Sequence, residues 1–418
     1  MAGCASNPSP TPASRASTPT PIVNQVAEGF SEQELKQGLQ SLLAQTASAE
    51  GIPLGSLEAA FADTKTLSQV RKLVLPGPPG FKKNWLAYRK RFIEPVRIKA
   101  GRAFLEQNRS YLDRVEQETG VPGTVITAII GVETIYGRHM GNFKVKDVLA
   151  TLAFHYPDTP NRASRERLFQ DQLKQLILLC WSQAGGSLPA TPQSPAPSTT
   201  QFSACLNQSS SYAGAIGLPQ FMPGSIRSFA IDGDGDGLID LRQSRQDAIA
   251  SVARFLRMHG WQPGMPIYFP IEERASQSQA IEGLADGIPQ AKHTVAELIA
   301  LGILSRERGD LQAGGVAPDS KALIVDLPIV SANGDEQVRY VVGLENFLSI
   351  VQYNRSYFYA QSVAEFAQEL GYDNRSAVPV IKTASESSPN KVKTAANTKS
   401  NPKTKAKDKA KPKVKPTP

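Results

Sequence analysis

The sequence predicts a mainly α-helical protein of the α+β class, and three observations support this fold class. Apolar residues recur at three- and four-residue spacing over much of the chain between residues 29 and 263, which is the period of an amphipathic helix. From Gly264 the pattern changes to short segments, and two strand-like runs flank Asn333-Gly334, a hairpin signal. The helical period returns at Leu344. We therefore expect a helical body that carries one small β-containing part.

Changes in composition predict the domain organisation. Residues 1–28 are rich in Ser, Pro and Thr, so we expect a disordered leader or spacer. Residues 29–375 form the folded unit, which contains a Pro/Ser-rich insertion at 185–200 and is followed by a disordered Lys/Pro-rich tail at 376–418. We expect three parts within the folded unit. They are a helical flank (29–115 with 344–375), a core with the candidate catalytic residue (116–263) and a small α+β part (264–343).

The positive charge of the chain belongs to its tail. The whole chain has a formal net charge of +8. From Val380 to Pro418 there are eleven Lys residues against Glu386 and Asp408, a net charge of +9, which leaves −1 for the rest. A nearly neutral body excludes a basic surface for nucleic acid, whereas the tail suits an anionic polymer or phospholipid surface.

The cysteines indicate an exported protein. Cys4 follows Ala-Gly and precedes the Ser/Pro/Thr spacer, like the end of a bacterial lipoprotein signal, although no apolar run precedes it. We favour a start further upstream and a lipid anchor at Cys4, and the alternative is that this position is accidental. Cys180 and Cys205 flank the insertion, and we expect a disulfide between them in an oxidising compartment, with free thiols as the alternative. No apolar run is long enough to span a bilayer.

Glu133 is the candidate catalytic residue. It follows Ile126 by seven residues, Ile129 by four and Ile130 by three, so it falls on the apolar face of a helix. Loss of water there would raise the pKa of its carboxyl and prepare it as a general acid. The alternative is a structural Glu133 that pairs with Arg138 or reaches solvent at the helix end.

The helix that carries Glu133 has recognisable ends. Pro122 suits a first helical turn, because the missing N–H has no partner there in any case. Gly137 and Gly141 are the positions at which this helix can stop.

A calcium loop follows at residue 232. Carboxylates occupy loop positions 1, 3, 5 and 9, and Gly237 occupies position 6, where an EF-hand loop turns sharply. Position 12 is Gln243 instead of the usual Glu, so we expect modest affinity. An acidic surface turn is the alternative, but four acids within nine residues repel one another without a cation. The predicted ligands are Asp232, Asp234, Asp236, Leu238, Asp240 and Asp247.

Short polar groups stand among small or apolar residues in two further segments. Ser211 and Gln220 bound a Gly/Ala-rich loop that could approach a sugar closely, which is a weak signal by itself. Tyr353, Asn354 and Tyr359 lie near the apolar face of a predicted helix, where Tyr is also ordinary core.

These segments together resemble the membrane-bound lytic murein transglycosylase B family, which has a lysozyme-like catalytic core. The resemblance runs from about Trp85 to Leu370. It rests on five motifs in the same order. They are Trp85…Tyr88-Arg-x-Arg91-Phe92, Gly131-Val-Glu133-Thr-x-Tyr-Gly137, Ser211-Tyr-Ala-Gly-Ala…Gln220-Phe-Met-Pro223, Asp232…Asp236-Gly, and Gly343-Leu-x-Asn346-Phe…Tyr353-Asn354-x-Ser356…Tyr359.

The resemblance implies a lytic murein transglycosylase, a carbon–oxygen lyase that acts on peptidoglycan glycan strands. Glu133 would be the sole acid and base in cleavage of the β-1,4 bond between N-acetylmuramic acid and N-acetylglucosamine, with formation of 1,6-anhydromuramic acid ends. It also implies a periplasmic or cell-envelope location, with an outer-membrane lipid anchor at Cys4. We expect a monomer with structural Ca²⁺ and no organic cofactor. Ser211, Gln220, Tyr353, Asn354 and Tyr359 would bind the saccharide.

Two alternatives to this function stay open at the level of sequence. A muramidase would use the same Glu133 with water, and a peptidoglycan-binding scaffold would keep the groove without turnover. The chain also departs from the family pattern at Leu218, at Pro219 and in the insertion flanked by cysteines.

Overall fold

The computed structural model describes residues 32–77, 82–271, 279–304, 316–331 and 333–374. The predicted leader, Cys4 and the predicted basic tail lie outside these residues. Helices dominate the described chain and the sheets are small, so the predicted mainly α fold of the α+β class is confirmed.

The helices follow one another with short connections. They are α1 (Glu32–Glu50), α2 (Leu54–Phe61), α3 (Ser68–Leu73), α4 (Trp85–Arg89), α5 (Pro95–Gln107), α6 (Arg109–Thr119), α7 (Gly123–Thr134), α8 (Val145–Phe154), α9 (Arg162–Gln183), α10 (Thr199–Leu206), α11 (Pro223–Phe229), α12 (Arg245–Met258), α13 (Gln279–Leu284), α14 (Val295–Ala300), α15 (Glu345–Tyr353) and α16 (Tyr357–Glu369).

Two antiparallel sheets complete the fold. The smaller pairs β1 (Phe143–Lys144) with β2 (Ser209–Ser210). The larger has the strand order β3-β6-β5-β4, and its long strands β5 and β6 form the predicted hairpin. The strands of the larger sheet are β3 (Tyr268–Pro270), β4 (His293–Thr294), β5 (Lys321–Val330) and β6 (Glu336–Gly343).

The larger sheet separates two hydrophobic cores. Successive side chains of a strand point to opposite faces, and in β5 Leu323 and Val325 join the main core while Ala322 and Ile324 join a smaller one. Helices α13 and α14 cover the smaller core with Ile281, Val295 and Leu298. This second core lies within the predicted small α+β part. The finer division of the folded unit stays a prediction, because residues 1–379 form one compact unit by their contacts.

A buried lysine attaches the N-terminal helices to the main core. Lys146 on α8 has no exposed surface, and its ammonium donates to the carbonyl oxygen of Ala60 at 2.9 Å and pairs with Asp63. The adjacent carboxylate of Asp147 accepts from the backbone N–H of Lys65 at 3.1 Å. Because a buried charge is tolerated only when it is paired and hydrogen-bonded, these contacts define where α2 and α3 sit on α8.

The predicted insertion lies against α1 and α9. The backbone N–H of Ala190 donates to the carbonyl oxygen of Glu50 at 2.7 Å, and the indole N–H of Trp181 donates to Ser187 O at 3.1 Å. Helix α10 already begins at Thr199, so the end predicted at residue 200 was one turn too late.

A disulfide joins the two ends of the insertion. Cys180 on α9 and Cys205 on α10 are bonded, with their Cα atoms 5.4 Å apart. In the part of the chain that is described, no helix has both the length and the apolar character needed to cross a membrane.

The disulfide should contribute measurably to stability. It closes a loop with a sequence separation of 25 residues, and loss of this constraint corresponds to roughly 3.5 kcal/mol in the chain-entropy model. We expect urea unfolding of Cys180→Ala/Cys205→Ala protein to show a loss of this order, with Cys4→Ser as the matched control. Ready alkylation of both thiols in native protein from an oxidising compartment would contradict the bond.

Candidate functional site

Helix α7 is almost wholly buried, and its last turn carries Glu133. Ile126, Ile129 and Ile130 have no exposed surface, as the predicted apolar face requires. Glu133 lies on the same face and keeps part of its surface exposed. The carboxyl group is therefore placed where an apolar helix face meets an open cleft.

Burial raises the pKa of Glu133 to about 7, and a hydrogen bond from Tyr359 opposes this rise. The C-terminal end of a helix also disfavours a negative charge. The alternative partner, Arg138, is exposed, and Glu133 forms no ion pair with any described residue. The acid is thus poised near neutrality, the condition for a group that must both give and take a proton.

Two tyrosines of the C-terminal helices reach the carboxyl group. The hydroxyl of Tyr359 on α16 donates to Glu133 Oε1 at 2.6 Å. The ring of Tyr353 at the end of α15 stacks on Tyr359, with 6.2 Å between centroids and 12° between planes. Tyr353 donates its hydroxyl to the carbonyl oxygen of Pro219 at 2.5 Å. Burial raises the pKa of both phenols, so both remain hydrogen-bond donors near neutrality.

A left-handed turn ends α7 directly after the acid. Ile135 and Tyr136 have φ values of 50° and 57°, a region that costs a non-Gly residue of the order of 1–3 kcal/mol. The Tyr136 hydroxyl lies between two helices in a slot without side chains. A Cβ atom would lie 2.3 Å from this hydroxyl at Gly131 and 2.6 Å from it at Gly101. The helix therefore ends at Thr134, before the predicted stop at Gly137.

A cavity of about 660 Å³ opens beside Glu133. We call it the Glu133 cavity. Ser211 and Gln220 line it, so the structure brings three of the predicted site residues together. Glu133 is the only acidic side chain among the described residues that line it. The other lining residues are Gly137, Arg138, His139, Met140, Gly141, Asn142, Phe143, Tyr212 and Arg242.

The loop between Ser211 and Gln220 is held by its own polar groups. Ser211 Oγ accepts from the backbone N–H groups of Ala213 and Ala215 at 3.3 and 3.1 Å. Gln220 has a left-handed φ of 51°, and its side-chain amide donates to Gly217 O at 2.9 Å. The amide oxygen of Gln220 remains available as an acceptor at the cavity wall.

Asn354 does not line the Glu133 cavity. It is exposed and follows the last residue of α15, where its backbone carbonyl accepts from Ser356 N at 2.6 Å. The apolar stripe of α15 ends before this position, so the residue leaves the packed face with the end of the helix.

Arg242 and Tyr212 are lining residues that the sequence reasoning missed. Arg242 donates from Nη1 to the carbonyl oxygen of Ser209 at 2.6 Å, which holds its cation at the cavity edge. Its place just after the acidic loop gave no signal. Tyr212 is 44% exposed and belongs to the Ser211 motif itself, and an exposed aromatic side chain there was a signal that could have been used.

The acidic loop gathers three carboxylates. One oxygen from each of Asp232, Asp234 and Asp247 lies within 4.8 Å of the others. Asp247 is buried at the start of α12, and its two oxygens accept from the backbone N–H groups of Gly233 at 2.8 Å and Asp240 at 2.7 Å. Hard oxygen donors in this arrangement suit Ca²⁺.

The other predicted ligands make local contacts in the structure. Asp236 Oδ1 accepts from Leu238 N at 2.8 Å, and the Leu238 side chain is exposed. Asp240 Oδ1 accepts from the backbone N–H groups of Arg242 and Gln243 at 2.8 and 3.0 Å. Asp247, four residues beyond Gln243, thus stands closer to the first two aspartates than either of these.

Comparisons with known proteins connect the fold to a family. The model of the family described as "Transglycosylase SLT domain" matches residues 34–368. The chain is 30% identical over 389 residues to membrane-bound lytic murein transglycosylase B of Escherichia coli strain K12, covering 88% of this chain and 94% of that protein.

Two solved structures share the fold. Escherichia coli lytic transglycosylase Slt35 in complex with calcium has a TM-score of 0.62 and 30% identity, covering 80% of this chain and 92% of the other. SltB3 of Pseudomonas aeruginosa in complex with NAG-NAM-pentapeptide has a TM-score of 0.62 and 26% identity, covering 83% of each chain.

The raised pKa of Glu133 predicts a pH-dependent effect of Glu133→Gln. The folded state holds this proton more tightly than the unfolded chain, so its stabilising contribution is complete below pH 4.5 and is lost as pH rises towards about 7. The interval between these pKa values corresponds to roughly 3 kcal/mol. Relative to wild type, the variant should therefore gain stability by up to this amount between pH 4 and pH 8 in urea unfolding.

A matched control is Glu118→Gln, which changes an exposed carboxylate on α6. Its stability relative to wild type should stay constant over the same pH range. A Glu133→Gln protein that is equally destabilised at both pH values would indicate a structural carboxylate and contradict the raised pKa.

Proposed function

The chain belongs to the transglycosylase SLT domain family, and we propose that Glu133 is the single acid and base of its reaction. As a lytic murein transglycosylase, it cleaves peptidoglycan, and the confirmed resemblance gives the bond as the β-1,4 linkage between N-acetylmuramic acid and N-acetylglucosamine. The observation that carries the proposal is one carboxyl group with a pKa of about 7 in the wall of a large cavity. Most glycosidases instead use two carboxyl groups.

The reaction requires Glu133 to act twice. Neutral Glu133 donates its proton to the glycosidic oxygen as the bond to C1 breaks, and N-acetylglucosamine leaves. The acetamide of N-acetylmuramic acid stabilises C1 during this step. The Glu133 carboxylate then takes the proton of the muramyl 6-hydroxyl, which attacks C1 and closes the 1,6-anhydro ring. Atoms balance without water, and the proton returns to Glu133.

The tyrosines support both protonation states of Glu133. The hydroxyl of Tyr359 bonds to Oε1, and a hydrogen bond to an ionised acceptor is stronger than one to a neutral acceptor. It therefore stabilises the carboxylate after proton donation. We propose that Tyr353 holds the Pro219 carbonyl, and with it the Gln220 loop, at a fixed distance from the acid.

We assign the saccharide contacts to the predicted set. Ser211 and Gln220 stand in the cavity wall, where the Gln220 amide can orient the N-acetyl group. Tyr353 and Tyr359 present their rings to the same site. Asn354 is exposed beside it, and a contact with a distal sugar is the role that its position supports.

We further propose that the substrate carries its peptide stems and lies in the cell envelope. SltB3 is described in complex with NAG-NAM-pentapeptide, and the relative from Escherichia coli is named membrane-bound. We propose a periplasmic monomer with a lipid anchor at Cys4, which lies outside the described residues.

The acidic loop is proposed as a structural calcium site. Its Asp232, Asp234 and Asp247 oxygens converge, and a related structure is described in complex with calcium. A bound cation would offset the repulsion among these carboxylates and tie α12 to the loop. The residues would hold the ion, and no step of the reaction passes through it.

The products of Glu133→Gln protein test the function. Gln keeps the shape of Glu but cannot exchange the proton, so we expect a loss of at least about a thousandfold in muropeptide release. Mass spectrometry of soluble products from purified sacculi should show anhydro ends with wild type alone. Products 18 Da heavier would indicate a muramidase, and wild-type protein that binds sacculi without release would indicate a scaffold.

Calcium should raise the melting temperature. A ligand that binds only the folded state stabilises it, and with modest affinity we expect about 2–5 °C in millimolar calcium relative to EDTA. Asp234→Asn should melt as wild type does in EDTA and lose most of the calcium effect. Asp319→Asn, which alters an exposed acid elsewhere, is the control. Identical wild-type curves in calcium and EDTA would count against the site.

A further inference from the structure

A second cavity, of about 610 Å³, lies on the other side of the Glu133–Tyr359 pair. We call it the cationic cavity. Tyr88 lines it and is close enough for the charge of Glu133 to raise its pKa, after the larger effect of burial. Phe358, the chain neighbour of Tyr359, lines it as well. A substrate held at Glu133 can therefore extend into this cavity.

The charged side chains around this cavity are mostly positive. Lys83, Arg91 and Arg355 line it, against one carboxylate, Asp326. Of these four side chains, none forms an ion pair with another described residue. The chain neighbours of two of them differ, because Lys82 pairs with Glu336. The cations that face the cavity are thus the ones left for a ligand.

One neutral donor in the cavity also lacks a partner. The hydroxyl of Tyr357 is buried and has no hydrogen-bond partner among the described residues. Burial raises its pKa to about 12, so it remains a donor under all ordinary conditions. A buried donor without an acceptor is costly, and an acceptor from a bound ligand would satisfy it.

We propose that the cationic cavity binds the peptide stem of the substrate through the carboxylates of that peptide. This inference rests on the proposed function, because the stem is attached to the muramic acid whose bond is cleaved beside Glu133. N-acetylated sugars carry no charge and would leave the Arg91 and Arg355 guanidinium groups unused. A peptide offers carboxylates, and guanidinium groups bind these in a bidentate geometry. Its carbonyl oxygens are acceptors for Tyr357.

Binding to catalytically inactive protein tests the proposal. In a Glu133→Gln background, calorimetry compares NAG-NAM-pentapeptide with the same disaccharide whose lactyl group ends in a neutral methylamide. We expect the pentapeptide to bind about tenfold more tightly. Adding Arg91→Gln and Arg355→Gln should remove this advantage and leave binding of the methylamide within twofold. Lys90→Gln, which changes an exposed cation outside the cavity, should alter neither.

Two outcomes would overturn the proposal. Equal loss of both ligands in the double Arg variant would mean that the cavity holds sugar, and an unchanged pentapeptide advantage would mean that the stem lies elsewhere. Failure of the proposed function has a different signature, which is wild-type protein that releases no anhydro products from sacculi. A pentapeptide with amidated carboxylates should bind like the methylamide, which separates charge from contact area.

Discussion

The removal of one carboxyl group from water is the constraint on which the rest of the site depends. The isoleucines of α7 make the helix face apolar, and Glu133 takes the next position on that face. Burial alone would leave a carboxyl that rarely ionises, so a donor is needed to support the charged form. Tyr359 supplies it from a helix near the end of the folded chain. The two opposing effects leave the pKa at about 7, where proton donation and proton acceptance are equally accessible.

Backbone and side chains position this group together. Tyr136 occupies a slot between α5 and α7 that exists because Gly101 and Gly131 have no side chains. Its left-handed backbone ends α7 within one turn of the acid. On the opposite side, Tyr353 binds a backbone carbonyl of the Gln220 loop. The residue that departs from the family pattern there, Pro219, participates through its carbonyl oxygen, which any residue provides. This explains how the substitution is compatible with the site.

Much of this could be predicted from the sequence because it depends on local period. The apolar face of α7, the β5–β6 hairpin and the acidic loop are patterns within about a dozen residues of chain. The left-handed turn at Ile135 and Tyr136 could not be predicted, since it depends on glycines in two separate helices. Asn354 was placed on a helix face that ends just before it. Asp247 was only the nearest later acid in sequence, and the turn of the loop into α12 brings it to Asp232. Contacts of this kind come from tertiary packing.

The bond between Tyr359 and Glu133 spans 226 residues of sequence, and this separation bears on biosynthesis. A nascent chain that has just released α7 contains the acid but neither the helix that supports it nor the far wall of the groove. Contacts between distant segments form only after the cost of closing the intervening loop has been met. The site is therefore assembled last, once α15 and α16 have emerged. A wall-cleaving enzyme built in this way has no competent partial product during synthesis and export.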